Sequence, residues 1–404
     1  MIWAALWAAL TLQLGYNATL VAVGAGLLGI AAGAAGSFMV LRKRALVSDA
    51  MAHATLPGIA LAFLVMVALG GEGRALPGLI LGAALSAAVG LMVVDAVTRR
   101  TRLGEDAAIG AVLSVGFGLG VVLLTVIQTM NAGRQAGLEA FLIGSTSGML
   151  QADAWTIAAG GLICALVIWA LRRPMTMVAF DAQHAQAMGV NLRLTDLAVM
   201  GLVLAVTVIG LRIVGLVLIV ALLIIPAVTA RFWTDRSGPM VVIAGALGGI
   251  AGYSGAAVSA AVPGVPTGPV IVLIAAGLFT LSLLFSPERG ALAGVLARSG
   301  FQRRVHLRQG LLALARGEAI HDALTLRVLR RAGLIRPDGV PTEAGRADAA
   351  LAMLDEARWA IARAADQGGG LSGRYDGLTP IGAVFTPDQI AALDARLPRP
   401  SGVA

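Results

Sequence analysis

Two residues in the segment VSDAMAHATLPGIALAF, positions 47–63, are equipped for chemistry: Asp49 and His53, set in an otherwise apolar run. In a helix, side chains at i and i+4 are neighbours, with Cβ atoms about 5–6 Å apart. A carboxylate and an imidazole at that spacing can hold a divalent cation, a proton, or each other. As ligands they suit Mn2+, Fe2+ or Zn2+ better than a soft, thiolate-seeking ion. An ionisable residue within a membrane span points to function. The competing reading has Ser48 and Asp49 capping a helix that starts after the RKR loop at 42–44, with His53 as a buried hydrogen-bonded partner. Two protein ligands do not close a metal site, so further ligands, waters or a partner chain would complete it.

Two other segments break the apolar pattern. FDAQHAQAMGVNLRLTD (180–196) is a polar island whose pattern predicts a short amphipathic helix from about Ala182 to Met188, stopped at Gly189. It is either a plain linker or a docking surface with Ala185, Met188 and Gly189 along one edge. AAVSAAVPGVPTGP (256–269) has three prolines and two glycines, so it is not one continuous helix. Irregular backbone at membrane depth survives only against protein or a cavity. Pro263, Pro266 and Gly268 are therefore candidates for an outer gate. Glu105, Asp106, Glu139 and Asp153 lie near span ends and read as caps or dipole partners. Asp95 reads as a structural ion pair with neighbouring arginines, and His184 as solvated or docked.

The elements that position these residues are membrane helices. Charged residues are 13% of the chain, against about 25% in ordinary soluble domains. Runs of about 20 apolar residues, the length that crosses a bilayer, fall near 17–40, 50–69, 77–97, 107–127, 141–171, 195–210, 214–231, 240–258 and 268–285. A tight break between Gly210 and Gly215 gives nine spans; one long bent helix gives eight. Glycines four apart, as in Gly29/Gly33, Gly116/Gly120, Gly245/Gly249 and Gly248/Gly252, read as close helix packing. The N-terminus has neither a basic leader nor a convincing cleavage site, so no removed signal peptide is expected. With the N-terminus outside, 11 loop arginines and lysines fall on one side, which the positive-inside rule makes cytoplasmic. The single cysteine, Cys164, excludes a disulfide framework or a thiolate metal site within one chain. The chain also has no GxxxxGK[ST] loop, no HExxH and no nucleophile elbow. It is not read as an enzyme, and active transport would need a separate ATPase subunit.

Five segments in order resemble the membrane permease subunits of bacterial manganese, zinc and iron ABC importers: VLRKRALVSDAMAHATLPGIALAFL, FLIGS, FDAQHAQAMGVN, RIVGLVLIVALLIIPAVTAR and GYSGAAVSAAVPGVPTGPVIVL. The family carries a Gly-Asp-Ala-x-x-His-Ala-x-x-Pro-Gly-like segment. Ser48 replaces its glycine, while Asp49, His53, Pro57 and Gly58 match. The resemblance implies that Asp49 and His53 contact the transported ion. It also implies that the island at 180–190 is the helix that couples to the ATPase, with Phe180, Asp181, Ala185 and Gly189 at matching positions. The implied partners are an ABC ATPase subunit, a second permease subunit (identical or paralogous), an extracytoplasmic metal-binding protein and membrane lipid. No permanently bound cofactor is implied, only a transported Mn2+, Zn2+ or Fe2+, with Mn2+ favoured on hard-ligand grounds. The implied location is the bacterial inner membrane. A metal-chelate permease of siderophore or cobalamin type, or a membrane-anchored DNA-binding metal sensor, are the alternatives.

From residue 286 onward the chain carries 16 of its 30 Lys/Arg and 12 of its 22 Asp/Glu. The expected fold is an all-α polytopic membrane domain (1–290), a linker (291–305) and a small cytoplasmic α+β domain (306–404). Residues 306–365 read as helix, helix, Asp-Gly turn between two short strands, and helix. That order resembles the winged helix of diphtheria-toxin-repressor-type metalloregulators. Arg327, Arg330 and Arg331 would face DNA phosphates in such a fold, but nucleic acid is not favoured as a partner, and a structural or regulatory role is preferred. A final short helix is expected after Thr386-Pro387, with a flexible joint at Gly368–Gly370.

Overall fold

The computed structural model describes residues 15–130 except 72 and 74, residues 149–365 except 263 and 288, residues 375–397, and five residues before position 15. The chain divides into two compact units, Met1–Ala291 and Leu292–Ala404.

The first unit is a bundle of apolar helices. In order they are α1 (Tyr16–Leu41), α2 (Ala45–Ala68), α3 (Leu76–Arg100), α4 (Glu105–Thr129), α5 (Gln151–Phe180), the short α6 (Ala182–Ala187), α7 (Leu192–Val214), α8 (Leu216–Ala230), α9 (Ser237–Ala261) and α10 (Thr267–Phe285). Eight described helices are long and apolar enough to cross a membrane. The bent-helix alternative at 210–215 gives way to two helices, because Gly215 takes φ 81 and ψ 171, which ends α7. The 15 residues of α8 extend only about 22 Å, short of a hydrocarbon core of about 30 Å. Helix α5 does not stop at 171. It runs through Arg172, Arg173 and Pro174 to Phe180 with both arginines exposed, as long cationic side chains can lie along a helix and reach water. Residues 131–148, which include Glu139 and the FLIGS segment, lie outside the described residues.

Close backbone approach organises the bundle. A Cβ built on Gly29 of α1 would lie 2.1 Å from the carbonyl oxygen of Gly248 on α9, and one on Gly33 would lie 2.2 Å from that of Ala244. The same device joins α2 to α3, where Gly58 and Gly82 face each other's carbonyls. In lipid, where apolar surface gains little by leaving its surroundings, small residues of this kind let helices associate by van der Waals contact. One end of the bundle is fastened by charge. Arg42 pairs with Asp196 at 2.8 Å and donates to the Val178 carbonyl at 2.9 Å, while Arg44 pairs with Glu105 at 2.9 Å. These contacts gather the α1–α2 loop, the start of α4, the end of α5 and the start of α7. Asp95 pairs with Arg99 at 2.7 Å, the structural ion pair expected of it.

The second unit is α-helical: α11 (Ala291–Arg316), α12 (Ala323–Arg331), α13 (Glu343–Ala365), a 3-10 turn at Ile381–Ala383 and α14 (Pro387–Asp394). The stretch 291–305, read as a linker, is helical and forms the first half of α11. One expectation is corrected here. The two strands around the Asp-Gly turn reduce to one antiparallel bridge, Ile335 with Pro341, and no strand forms among the described residues. The physical reason is local: Pro341 has no N–H to extend the ladder, and Thr342 already leads into α13. The α+β winged-helix expectation therefore becomes an all-helical unit. Its core holds Trp359, fully buried with its indole N–H donating to the Thr379 carbonyl at 3.1 Å, packed with Ala362, Ile381 and Leu393. Arg308 of α11 reaches α13, pairing with Asp355 at 2.7 Å and Glu356 at 3.4 Å. The glycine joint at 368–370 lies outside the described residues.

Candidate functional site

Helix α2 starts at Ala45, its N-cap is Arg44, and no side chain caps it. Ser48 Oγ donates back to the Ala45 carbonyl at 2.7 Å. Asp49 and His53 therefore sit in the second and third turns, about 6 and 12 Å along the helix, and the capping explanation falls because the helix begins a turn earlier than 48. His53 Nε2 lies 3.5 Å from Asp49 Oδ1, with both side chains partly exposed. That is longer than a normal N–H···O bond of about 2.7–3.2 Å. Two donors each about 2.0–2.2 Å from one metal ion, at angles near 90–110°, stand about 3.0–3.5 Å apart. The couple thus has the bite of a chelate more than the length of a made hydrogen bond. The other ring nitrogen, Nδ1, is buried with no hydrogen-bond partner. Among the described residues, no cluster of three or more His, Cys, Asp or Glu side chains forms.

Neighbouring helices hold this turn in place. Phe117 of α4 meets the His53 ring edge-on, with centroids 5.2 Å apart. Gly116 lets α4 close on α2: a Cβ there would lie 3.0 Å from Ala54 Cα and 3.3 Å from the His53 carbonyl oxygen. Ser86 of α3 donates to the Ala54 carbonyl at 2.5 Å. Pro57, inside α2, has no N–H, and the carbonyl it would have bonded is that of His53, four residues back. The proline thus removes the regular helical donor to the residue whose imidazole also keeps an unpartnered nitrogen.

The other expected site residues lie elsewhere. Asp181 caps α6 by accepting from the His184 amide at 2.9 Å. Ala185 is fully buried and anchors that helix, so it is not on a free docking edge; Phe180 and Met188 are the exposed apolar groups there. Gly189, at φ 81, makes the turn that a C-cap requires, as its position predicted. At the opposite end of the bundle from the arginine cluster, α9 stops at Ala261 and α10 starts at Thr267, with Pro266 as its extended N-cap. Ser259 Oγ ties the break by donating to the Val265 carbonyl at 2.7 Å, and a cavity of about 260 Å³ opens there beside Asn17, Ala18 and Val21 of α1. Gly268 is at the first turn of α10 near Leu218, and Pro263 lies outside the described residues. Asp153 accepts from the Leu150 amide at 3.0 Å, as a helix-start carboxylate should.

The pattern that defines the ABC 3 transport family matches residues 16–286, from the start of α1 to just past the end of α10. The chain belongs to the ABC 3 transport family. Among its relatives within that family, it is 40% identical over 298 residues to the manganese transport system membrane protein MntC of Bacillus subtilis, covering 74% of this chain and 67% of the relative. It is 38% identical over 294 residues to the zinc transport system membrane protein TroC of Treponema pallidum, covering 73% and 96%. Among solved structures, PsaBC from Streptococcus pneumoniae in complex with Fab matches with a TM-score of 0.61 at 28% identity, covering 72% of this chain and 98% of that one.

In this ABC 3 family chain, reasoning from sequence missed Phe117, Gly116 and Ser86 as neighbours of the couple. All three come from helices far along the chain, and only the glycine-rich GFGLG run at 116–120 hinted at close approach. The Pro57–His53 spacing, by contrast, was in plain view.

Proposed function

We propose that the chain is the membrane permease subunit of an ATP-driven importer, moving a divalent transition-metal cation inward across the bacterial inner membrane by alternating access. The observation that carries this is the Asp49–His53 couple: 3.5 Å apart inside an apolar bundle, with an unpartnered ring nitrogen. The names of the manganese and zinc relatives support a metal cargo. A carboxylate oxygen with one imidazole and no thiolate favours Mn2+, with Fe2+ and Zn2+ next. So open a site binds weakly enough to release its ion, as a transport path requires.

The partners follow from what the chain lacks. With no phosphate-binding loop it needs a separate ATPase subunit, and α6 is the element for that docking: Phe180 and Met188 are presented outward, Asp181 fixes the helix start, Ala185 anchors it and Gly189 ends it. A second permease subunit, identical or paralogous, completes the translocation path. An extracytoplasmic binding protein delivers the ion to the outer break, where Pro263, Pro266 and Gly268 form the gate. The second unit lies in the cytoplasm and acts as a structural or regulatory module.

The test is metal uptake by the reconstituted complex with Asp49→Asn. Uptake falls at least about tenfold, equivalent to about 1.4 kcal/mol of lost stabilisation, while membrane insertion and ATPase binding persist. Undiminished uptake overturns the assignment. Metal-stimulated ATP hydrolysis compared across Mn2+, Fe2+ and Zn2+ ranks the cargo.

A further inference from the structure

Within its own unit, the first half of α11 has almost no packing partner among the described residues. Residues 291–304 are exposed except for half-buried Ala293. From His306 on, the helix engages α12 and α13, through His306 Nδ1 with Thr325 Oγ1 at 2.9 Å and through the Arg308 pairs. Leu292, Val295 and Leu296, at i, i+3 and i+4, form an exposed apolar patch. The same face continues through Ser299, Arg303 and His306 into a cavity of about 470 Å³, whose far wall is Leu324, Arg327, Val328 and Arg331 of α12.

What marks the arginines of this cleft is that they converge unpaired on one cavity. Arg308, Arg316, Arg358 and Arg363 of the same unit pair with carboxylates. Among the described residues, Arg303, Arg327 and Arg331 have no ion-pair or hydrogen-bond partner, and neither do Arg298 and Arg304 on the exposed half of α11. Asp322, the acid paired with the cleft residue His306 at 3.1 Å, is also engaged by Thr325. Three unpaired guanidinium groups beside an apolar floor suit a phosphate ester attached to hydrocarbon.

Chain continuity supplies the occupant. Five residues separate Phe285, the end of the last apolar helix, from Ala291, so α11 starts within about 20 Å of that end. We propose that this stripe and cleft bind the headgroup phosphate of anionic phospholipid, laying the first half of α11 on the membrane surface. Leu292, Val295 and Leu296 enter the acyl boundary, and the arginines take the phosphates. Duplex nucleic acid offers phosphates too, but gives the apolar patch nothing to bury against. The inference rests only on α10 being a membrane span, and it stands whether or not a metal is the cargo.

The test uses the full chain with Cys164→Ala and Val295→Cys, carrying an environment-sensitive fluorophore, in nanodiscs. Discs of phosphatidylcholine alone are compared with discs of mixed phosphatidylcholine and phosphatidylglycerol. The expected result is a blue-shifted, brighter signal only with phosphatidylglycerol, weakened by added salt as screening shortens the reach of the charges. Arg303→Gln, Arg327→Gln and Arg331→Gln each lower the docking equilibrium about fivefold. Tryptic cleavage after Arg298 and Arg304 slows in the anionic discs, which guards against an effect of the dye. Equal signals in both lipid compositions overturn the proposal, as does the same response to inorganic phosphate in neutral discs. A response to a DNA duplex in neutral discs, with none to phosphatidylglycerol, overturns it in favour of nucleic acid.

Discussion

Two ionic contacts in this chain use similar groups to opposite ends. In the second unit, Arg308 meets Asp355 at 2.7 Å and Glu356 at 3.4 Å, and the free oxygen of Asp355 accepts from the Ile381 amide at 2.8 Å. In the membrane unit, His53 and Asp49 stand 3.5 Å apart, and the imidazole keeps a nitrogen with no partner. A carboxylate whose lone pairs are used up by its own fold is glue. Arg308 too leaves its Nε without a partner, so distance is what separates the contacts: 2.7 Å is a made ion pair, while 3.5 Å exceeds hydrogen-bond length and leaves both groups open to a ligand. The units also differ in emphasis: glycine notches recur along the long seams of the membrane unit, with ion pairs at one end, while the second unit has, among its described residues, a single such notch at Gly345 beside its ion pairs and buried tryptophan.

The sharpest way to break this comparison is Gly29→Leu. Even a Cβ at Gly29 collides with the Gly248 carbonyl, and backbone on both sides leaves nothing flexible to yield. Detergent-purified protein should contain no cooperatively folded membrane unit by thermal unfolding, and a normal transition would mean the notch is not the fastener. Next in size is Arg308→Ala, expected to cost the second unit about 3 kcal/mol, the low end for breaking a buried pair. Denaturant melts of the full chain would read this as a lowered midpoint for that unit alone. His53→Leu should instead leave the membrane unit's stability within about 1 kcal/mol, because the group removed is poorly satisfied, while uptake is lost. A His53→Leu loss as large as that of Arg308→Ala would erase the distinction between site and glue.

The smallest effect is with pH. The Thr325 hydroxyl and amide hold Asp322 below the usual carboxylate range, the Leu378 and Thr379 amides do so for Asp376, and the Arg358 guanidinium does so for Asp394. Groups with lowered folded values stabilise fully above the unfolded value of about 3.9 and lose that contribution as pH falls through the folded values. The melting temperature of the second unit should be flat from neutral pH down to about 5 and fall only below about 4. A decline beginning near pH 6 would mean that these carboxylates do not set the profile.

Much of the membrane unit was legible because a span advertises itself in composition: apart from the run expected at 141–171, each apolar run of about 20 residues became a helix within several residues of its expected ends. Errors came where local signals mislead. Arg172-Arg173-Pro174 reads as a loop, yet α5 continues through it, and Ser48-Asp49 reads as a cap although α2 begins at Ala45. The couple itself was legible because its members are four apart on one helix. Its surroundings were not, since Phe117 and Ser86 arrive from other helices and carry no mark in the sequence. The turn at Pro337–Gly339 promised strands that Pro341 prevents from extending.

The notched seam between α1 and α9 has a mechanical consequence. Gly29 against Gly248, Gly33 against Ala244 and Gly252 against Ala25 recur with helical spacing, so sliding one rod past the other to the next notch would take a jump of about 6 Å. Small displacements have no stable resting place. In the alternating-access cycle proposed above, the two rods would therefore swing as one strut. The bending has to be absorbed at weak joints such as Gly215, where the chain is already broken.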